Sequence, residues 1–342
     1  MRELSAQHLI IGSGLVGLAV ADRLLAAGHS GIVLVDKAPT AGLSKSAARD
    51  VLLTTGDPSL LELERVGLEY LHAWNETLGE DPRFRRCGSI SHPIFLESDD
   101  ATTLDAETVT QRVPYLRIDE GDVAIFHPED GVVDSTRITT ALAASVRERG
   151  AHFAYATEVG ALIDDPEARR VRFESSHRHG EAETVYVAAG LGTPRILEAM
   201  GVEFDGRATC WNTFELDAEP HPPAVLRLED VGGLVTSDGH GRLTLVLPDP
   251  DATSGPPRVR WDLLESFRRD HADRFPELSA ARVRRGSAET RWDLGEPYRE
   301  HFDGRVRIAG AFGLHSLPIA FGVAARMVAP PESTAEASTP DN

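Results

Sequence analysis

The sequence predicts an α/β fold whose core is a Rossmann-like nucleotide-binding unit, and three observations carry that prediction. Residues His8–Lys37 read HLIIGSGLVGLAVADRLLAAGHSGIVLVDK: an apolar run, a glycine-rich turn, a helical pattern, a second apolar run and an acid, in that order. Another short apolar run, Val185–Ala188, stops at Gly190 and leads into Thr193-Pro194. A strand pattern at Val306–Ala309 passes through a glycine-containing turn into an apolar helix near the C-terminus.

The first strand, His8–Ile11, is bounded by glycine and reads as buried and parallel. Gly12 permits the tight turn that follows it, Gly14 admits a pyrophosphate close to the backbone, and Gly17 lets helix and strand pack closely. The helix over Leu15–Ala27 then offers its positive end to the phosphates. Gly31–Val35 is the second strand, and Asp36 at its end is placed to accept from ribose hydroxyls, which argues against a 2′-phosphate. This places the ADP-like half of a dinucleotide and leaves nicotinamide or flavin open.

Farther on, the spacing predicts a helix after Gly131–Asp134, capped by Ser135 and ended by Gly150, with a strand running on through Val159. RRVRFESSHRHGEAETVYVAAG reads as a hairpin, and Thr193-Pro194 opens another helix. The Ala-Ala-Gly at 188–190 is either a second close approach to a ligand or a tightly packed turn. A last helix is expected from about Pro318 to Val328, with Pro318 in its first turn, where a missing N–H costs nothing. A helix N-terminus aimed at a ring stabilises negative charge, and reduced flavin carries such charge, so this end of the chain suits FAD better than NAD.

Composition narrows the classes. Thirty-five Lys and Arg against 54 Asp and Glu give a net charge of −19, which repels nucleic-acid backbones and anionic membranes. Cys87 and Cys210 alone make no disulfide framework and no zinc site of the CxxC kind, and no metal is expected. With no signal-peptide pattern at the N-terminus, a soluble cytoplasmic protein is expected. Residues 329–342, rich in Pro, Ser, Thr and acid, read as a disordered tail.

The order of these segments resembles the D-amino acid oxidase family of FAD-dependent oxidoreductases, which includes glycine and sarcosine oxidases. Beyond the opening unit, LSKSA (Leu43–Ala47) sits where the family has a Ser-rich segment over pyrophosphate and flavin. RFRRCGSI resembles its Phe-x-x-x-Gly-Ser-Leu strand, and EDGVVDSTRITTALAASVRERGA its Gly-Gly-x-Val-Asp-Pro helix start. ATEVGAL is similar to the strand whose valine backbone meets adenine, VYVAAGLGTPRIL to Val-Val-x-Ala-Ala-Gly, and AGAFGLHSLPIAFGVAARMV to the Gly-Phe-Ser-Gly-His-Gly turn and closing helix. The resemblance spans roughly Leu9 to Val328.

It implies a GR2-type flavoprotein: a discontinuous FAD-binding domain (1–74, 129–208, 290–328) and an inserted, mainly antiparallel β substrate domain (75–128, 209–289). The implied FAD contacts are Gly12, Gly14, Leu15, Val16, Gly17, Asp36, Lys37, Ser44, Lys45, Ser46, Val159, Ala189, Gly190, Gly310, Leu314, His315, Leu317, Pro318 and Ile319. Neither cysteine lies in the C-terminal region where sarcosine oxidases attach flavin, and Ser44-Lys45-Ser46 offers no histidine for N-terminal attachment, so non-covalent FAD is expected.

The resemblance also implies chemistry: hydride transfer from a carbon bearing an amine to flavin N5, with the protein supplying position and electrostatics. Arg291, in AETRWDLGEP, matches the arginine of the family's Gly-x-Arg-Pro, which clamps a substrate carboxylate; otherwise it is a surface arginine paired with Glu289 or Asp293. His315 matches the histidine beside the flavin, as a catalytic group or as a hydrogen-bonded structural one. Trp292 replaces the motif's proline, Leu314 a small residue, and Pro318 stands where sarcosine oxidases carry a carboxylate-binding lysine. His92, Trp211, Asn212, Arg227 and Trp261 are further pocket candidates by location.

The leading expectation is an FAD-dependent oxidase or dehydrogenase acting on a C–N bond of a carboxylate-bearing amine, with dioxygen a candidate acceptor. Two alternatives stay open. One is oxidation of a 2-hydroxy acid, which needs His315 or His92 as a base; the other is a flavin-binding protein without catalysis.

Overall fold

Strand β1 (Arg2–Ile11) is longer than the apolar run alone indicates. Its first half alternates Leu4 and Ala6 with exposed Glu3, Ser5 and Gln7, the pattern of a strand buried on one side. Pairing along Arg2–Ala6 with Arg178–Ala182 extends both strands past their apolar cores. The structure is a computed structural model that describes residues 2–38, 51–53, 57–74, 84–93, 101–175, 177–204, 206–251, 257–293, 297–310 and 316–329.

After β1 come α1 (Leu15–Ala26), β2 (Ile32–Val35), β3 (Val51–Leu52), α2 (Leu61–His72), β4 (Ser89–Ser91), β5 (Thr102–Asp105), α3 (Ala106–Arg112), β6 (Val123–His127), β7 (Gly131–Val132) and α4 (Ser135–Glu148). Next are β8 (His152–Ala154), β9 (Val159–Asp165), β10 (Arg170–Ser175), β11 (Arg178–Val187), a 3₁₀ turn (Gly190–Gly192), α5 (Thr193–Ala199), β12 (Arg207–Asp217), β13 (Ala224–Leu228), β14 (Gly233–Ser237) and β15 (Arg242–Asp249). The chain closes with α6 (Trp261–Asp270), α7 (Pro276–Ala280), β16 (Val283–Asp293), β17 (Tyr298–His301), β18 (Val306–Ala309) and α8 (Ser316–Val328).

Among the described residues, one eight-stranded sheet runs β17-β18-β11-β1-β2-β8, with β10 and β9 branching from β11. β1, β2, β8, β11 and β18 are parallel neighbours, and their apolar runs are continuous because both faces are covered. Ile10, Ile32, Leu34 and Tyr186 face α1, α2, α4 and α8. Leu9, Ile11, Val33, Val35, Val185 and Val187 face β9, β10 and α5.

Two expectations are corrected here. Helix α4 is capped by Asp134, whose carboxylate accepts from Arg137 N at 2.8 Å, while Ser135 is the first helical residue. The strand expected to run through Val159 is two strands: β8 ends at Ala154, Ala156 takes a positive φ of 54°, and β9 begins at Val159 in another part of the sheet. The break turns the chain out of the parallel layer into the β9-β10-β11 meander.

The second sheet runs β16-β12-β15-β14-β13-β4-β6-β5, all antiparallel except β13 with β4. Phe214, Leu216, Leu226, Leu228, Val235, Leu245 and Leu247 line one face, under Leu264, Phe267, Phe275 and Leu278 from α6, α7 and the turn between them. On the other face Trp211, Val225, Leu234 and Val246 meet Val51 of β3 and Leu53 just after it; β3 pairs with β7 in a two-stranded sheet of its own. Helices α2 and α8 cross with backbone in contact: a Cβ on Gly67 would stand 1.8 Å from the Pro318 carbonyl oxygen, and one on Gly322 1.9 Å from that of Leu63.

Candidate active site

Three strand ends converge at Gly12. Its N–H donates to Val35 O at 2.8 Å, and Ala188 N donates to Ile11 O at 2.8 Å, tying β1 to β2 and β11 just where each stops. Gly12 has φ +106°, and a Cβ there would meet Ala188 O at 2.3 Å; one on Gly17 would meet Gly12 O at 2.0 Å. No other residue fits either place. The two glycine turns seen separately in the sequence therefore form one site, since Ala188, Ala189 and Gly190 (φ +55°) lie beside Gly12.

Gly14 is the N-cap of α1 and supplies no side-chain cap, and no acid occupies the first helical turn. That positive end is open to an anion. Asp36 leaves the end of β2 half-buried, with Oδ2 accepting from both Ser13 N and Ser13 Oγ at 2.7 Å and Oδ1 accepting from Ala38 N at 3.2 Å. A carboxylate has about four acceptor positions, so Oδ1 keeps room for a ribose hydroxyl. Thr157 N donates to Asp36 O at 2.9 Å, which draws the segment before Val159 to the same edge. These features fit a dinucleotide with its pyrophosphate at α1.

The remaining expected cofactor residues divide. Leu15, Leu317 and Ile319 have buried side chains in the core among α1, α2, α4 and α8, and Val16 packs against it, so these could reach a ligand only through backbone. Pro318 is buried with its carbonyl against Gly67, Val159 is buried beneath the meander, Lys37 is exposed and Gly310 N donates to Pro297 O at 2.9 Å. Ser44, Lys45, Ser46, Leu314 and His315 lie outside the described residues.

On the second sheet, β16 is the edge strand and its C-terminal half approaches the Gly190–Gly192 turn, with Trp292 edge-on to Phe204 at 5.1 Å. Arg291 and Glu289 pair with Thr209 and Trp211 of β12, so both share the face that carries Trp211. The surface alternative for Arg291 is overturned: it is 1 % exposed. Its pairing with Glu289 is real, because Nε donates to Glu289 Oε1 and Nη2 contacts the same oxygen. Among the described residues Nη1 is buried with no hydrogen-bond partner, and Nη2 lacks one of good geometry. The Trp211 ring lies 5.7 Å from the guanidinium carbon.

The other candidates separate by face. Arg227 lies on the same face as Trp211, where its guanidinium binds Asp130 and donates from Nε to Ser89 Oγ at 3.0 Å. Beside this network Ser91 Oγ and His127 Nε2 lie 3.3 Å apart, and burial together with the Arg227 charge lowers the His127 pKa to about 4. Asn212 belongs to the opposite face and accepts from Arg260 N, and Trp261 is half-exposed at the start of α6, so neither joins Arg291. His92 is tied to Arg274 through Nδ1 at 2.9 Å. Burial pushes both thiols up, so Cys87 and Cys210 stay neutral near pH 7.

Asp130, Ser89 and Ser91 are not singled out by the sequence, which offers Glu289 only as a surface partner of Arg291. A usable signal was the alternation in Ser89-Ile90-Ser91, where polar residues repeat every second position on a strand buried on both faces. Among the described residues no helix is long and apolar enough to cross a membrane, and no cluster of three potential metal ligands occurs.

Comparison with known proteins agrees with this architecture. Mitochondrial dimethylglycine dehydrogenase of Mus musculus is 25 % identical over 217 residues, 58 % of this chain and 24 % of that protein. The Homo sapiens enzyme is 27 % identical over 176 residues, 46 % of this chain and 20 % of that protein. The aligned regions thus take in at most about a quarter of these relatives. L-proline dehydrogenase from P. horikoshii superimposes with a TM-score of 0.80 at 16 % identity, over 95 % of this chain and 93 % of that one. Glycine oxidase from Bacillus cereus gives 0.78 at 19 %, over 94 % and 93 %. Those two likenesses are of fold. The sequence itself matches the DAO family, FAD dependent oxidoreductases, over residues 7–329, and the chain therefore belongs to that family.

Proposed function

We propose that this FAD-dependent oxidoreductase oxidises the C–N bond of an amino acid or N-alkylated amino acid, using FAD held without a covalent bond. The observation that carries the reading is Arg291: a buried guanidinium whose outer edge has no partner among the described residues, on a strand whose C-terminal half approaches the Gly190–Gly192 turn. Burying such a group is costly unless something pairs with it, and a carboxylate matches its planar, two-pronged edge. The relatives named above, dimethylglycine dehydrogenase, proline dehydrogenase and glycine oxidase, support the same substrate class.

The roles divide by sheet. Gly12, Gly14 and the N-terminus of α1 would hold the pyrophosphate, with Gly17 letting α1 pack on β1; Asp36 would hold the adenosine ribose, and the Ala189-Gly190 turn would lie on the isoalloxazine side. Bound flavin supplies a hydride acceptor at N5. The chain itself orients the substrate: Arg291 fixes the carboxylate, the Trp211 ring walls the site, and the apolar contact of Val51 and Leu53 with Trp211 helps exclude water. A hydroxy acid would instead need a base for its hydroxyl proton, and the ring nitrogens of His92 already face Arg274 and Asp122. A panel of D-amino acids, N-methyl amino acids and 2-hydroxy acids, scored for peroxide and for carbonyl product, tests this. Turnover confined to the amines is expected; turnover confined to hydroxy acids overturns it. The cytoplasm as location is proposed with it, as is a cofactor domain that takes up the chain again after β16; the boundary expected at 290 falls inside that strand of the second sheet.

A further inference from the structure

We propose that Glu289 is the specificity-determining residue of this site, making it select zwitterions over simple carboxylates; the inference rests on Arg291 receiving a substrate carboxylate. Glu289 stands at the glycine position of the Gly-x-Arg-Pro pattern that Arg291 matches. Two residues apart on β16, the side chains share a face, and both are buried, Glu289 at 7 % and Arg291 at 1 % exposure. Glu289 Oε1 takes the Nε edge of the guanidinium, which fixes its orientation and leaves the Nη1 side for a ligand.

The charge balance follows from that geometry. Before anything binds, arginine and glutamate cancel. A carboxylic or hydroxy acid entering as an anion leaves one uncompensated negative charge in a buried place, close to a second carboxylate. A substrate carrying both carboxylate and ammonium leaves none: its carboxylate lies on the free guanidinium edge and its cation lies toward Glu289, whose Oε2 is outside the arginine pair. Glu289 thus sets the orientation of Arg291 and penalises ligands that bring no cation of their own.

The test compares two ligands of the same shape, trimethylammonioacetate and 3,3-dimethylbutanoate, in which carbon replaces the ammonium nitrogen; the first has no nitrogen lone pair and so binds without being oxidised. Both are titrated at pH 7 into the FAD-loaded protein by calorimetry and by perturbation of the flavin spectrum. The wild-type protein is expected to favour trimethylammonioacetate at least tenfold. Glu289→Gln is expected to tighten 3,3-dimethylbutanoate and weaken trimethylammonioacetate, each at least tenfold, while Glu289→Asp keeps the wild-type preference. Equal affinities in the wild-type protein, no binding of either ligand, or a shift of both in the same direction in Glu289→Gln overturns the inference. If Glu289→Gln fails to fold, the wild-type preference and the Glu289→Asp result decide. Failure of the oxidation reading looks different: the preference holds and no amine bleaches the flavin.

Discussion

Replacing Gly67 with alanine sets two known effects against each other. Gly67 lies in the interior of α2, where alanine gains about 1 kcal/mol of helix propensity. The new methyl carbon would stand 1.8 Å from Pro318 O and 2.6 Å from its carbonyl carbon, where an ordinary contact begins at 3.4 Å. Backbone cannot turn aside as a side chain does, so α2 and α8 must part by roughly 1.5 Å, an overpacking cost of about 3 kcal/mol. The net expectation is a destabilisation of about 2 kcal/mol, a fall in Tm of roughly 2–6 °C. Because α8 begins at Ser316, beside the proposed flavin site, flavin retention should fall with it. Thermal unfolding of the FAD-loaded protein, followed by flavin fluorescence and circular dichroism, reads both. A rise in Tm, as propensity alone dictates, would refute the close crossing.

Asp36→Asn removes the charge that accepts from Ser13 and, in the proposed complex, from ribose; FAD affinity should weaken by about tenfold in equilibrium dialysis, with the fold intact, and unchanged affinity would remove Asp36 from the site. Acid should destabilise the protein through His127, whose pKa is lowered from 6.5 to about 4 by burial and by Arg227. The unfolded chain binds that proton first, so this stability is fully present above pH 6.5 and is lost as the pH falls toward 4. Urea titrations from pH 7 to 4 should show the slope, and His127→Gln should flatten it; an unaltered slope in the variant assigns the acid sensitivity elsewhere.

The parallel core was legible because its strands are buried on both faces, so Leu9–Ile11 and Ile32–Val35 appear as unbroken apolar runs, and Val306–Ala309 is interrupted only by Arg307. The half-buried stretch Arg2–Ala6 and the Ala156 break before β9 were missed, since tertiary pairing and one positive φ decide them rather than periodicity. The glycine turns were visible singly; that Ala188 O touches Gly12 is a property of β1 and β11 pairing across more than a hundred and seventy residues and leaves no local mark. Buried charge was the least legible. Arg227 with Asp130, and Asp22 with Tyr70 and Arg149, are partners brought together only by the fold, and each residue alone reads as solvent-facing.

The central claim is that bound FAD takes two electrons from a C–N bond. An anaerobic titration of the purified protein with N,N-dimethylglycine, proline and glycine, following the visible flavin bands, tests it most directly. The account predicts a yellow protein whose flavin is released by denaturation and is bleached by an equimolar amount of one of these amines. A colourless protein that FAD does not bind, or flavin bleached by a 2-hydroxy acid and by no amine, would contradict it.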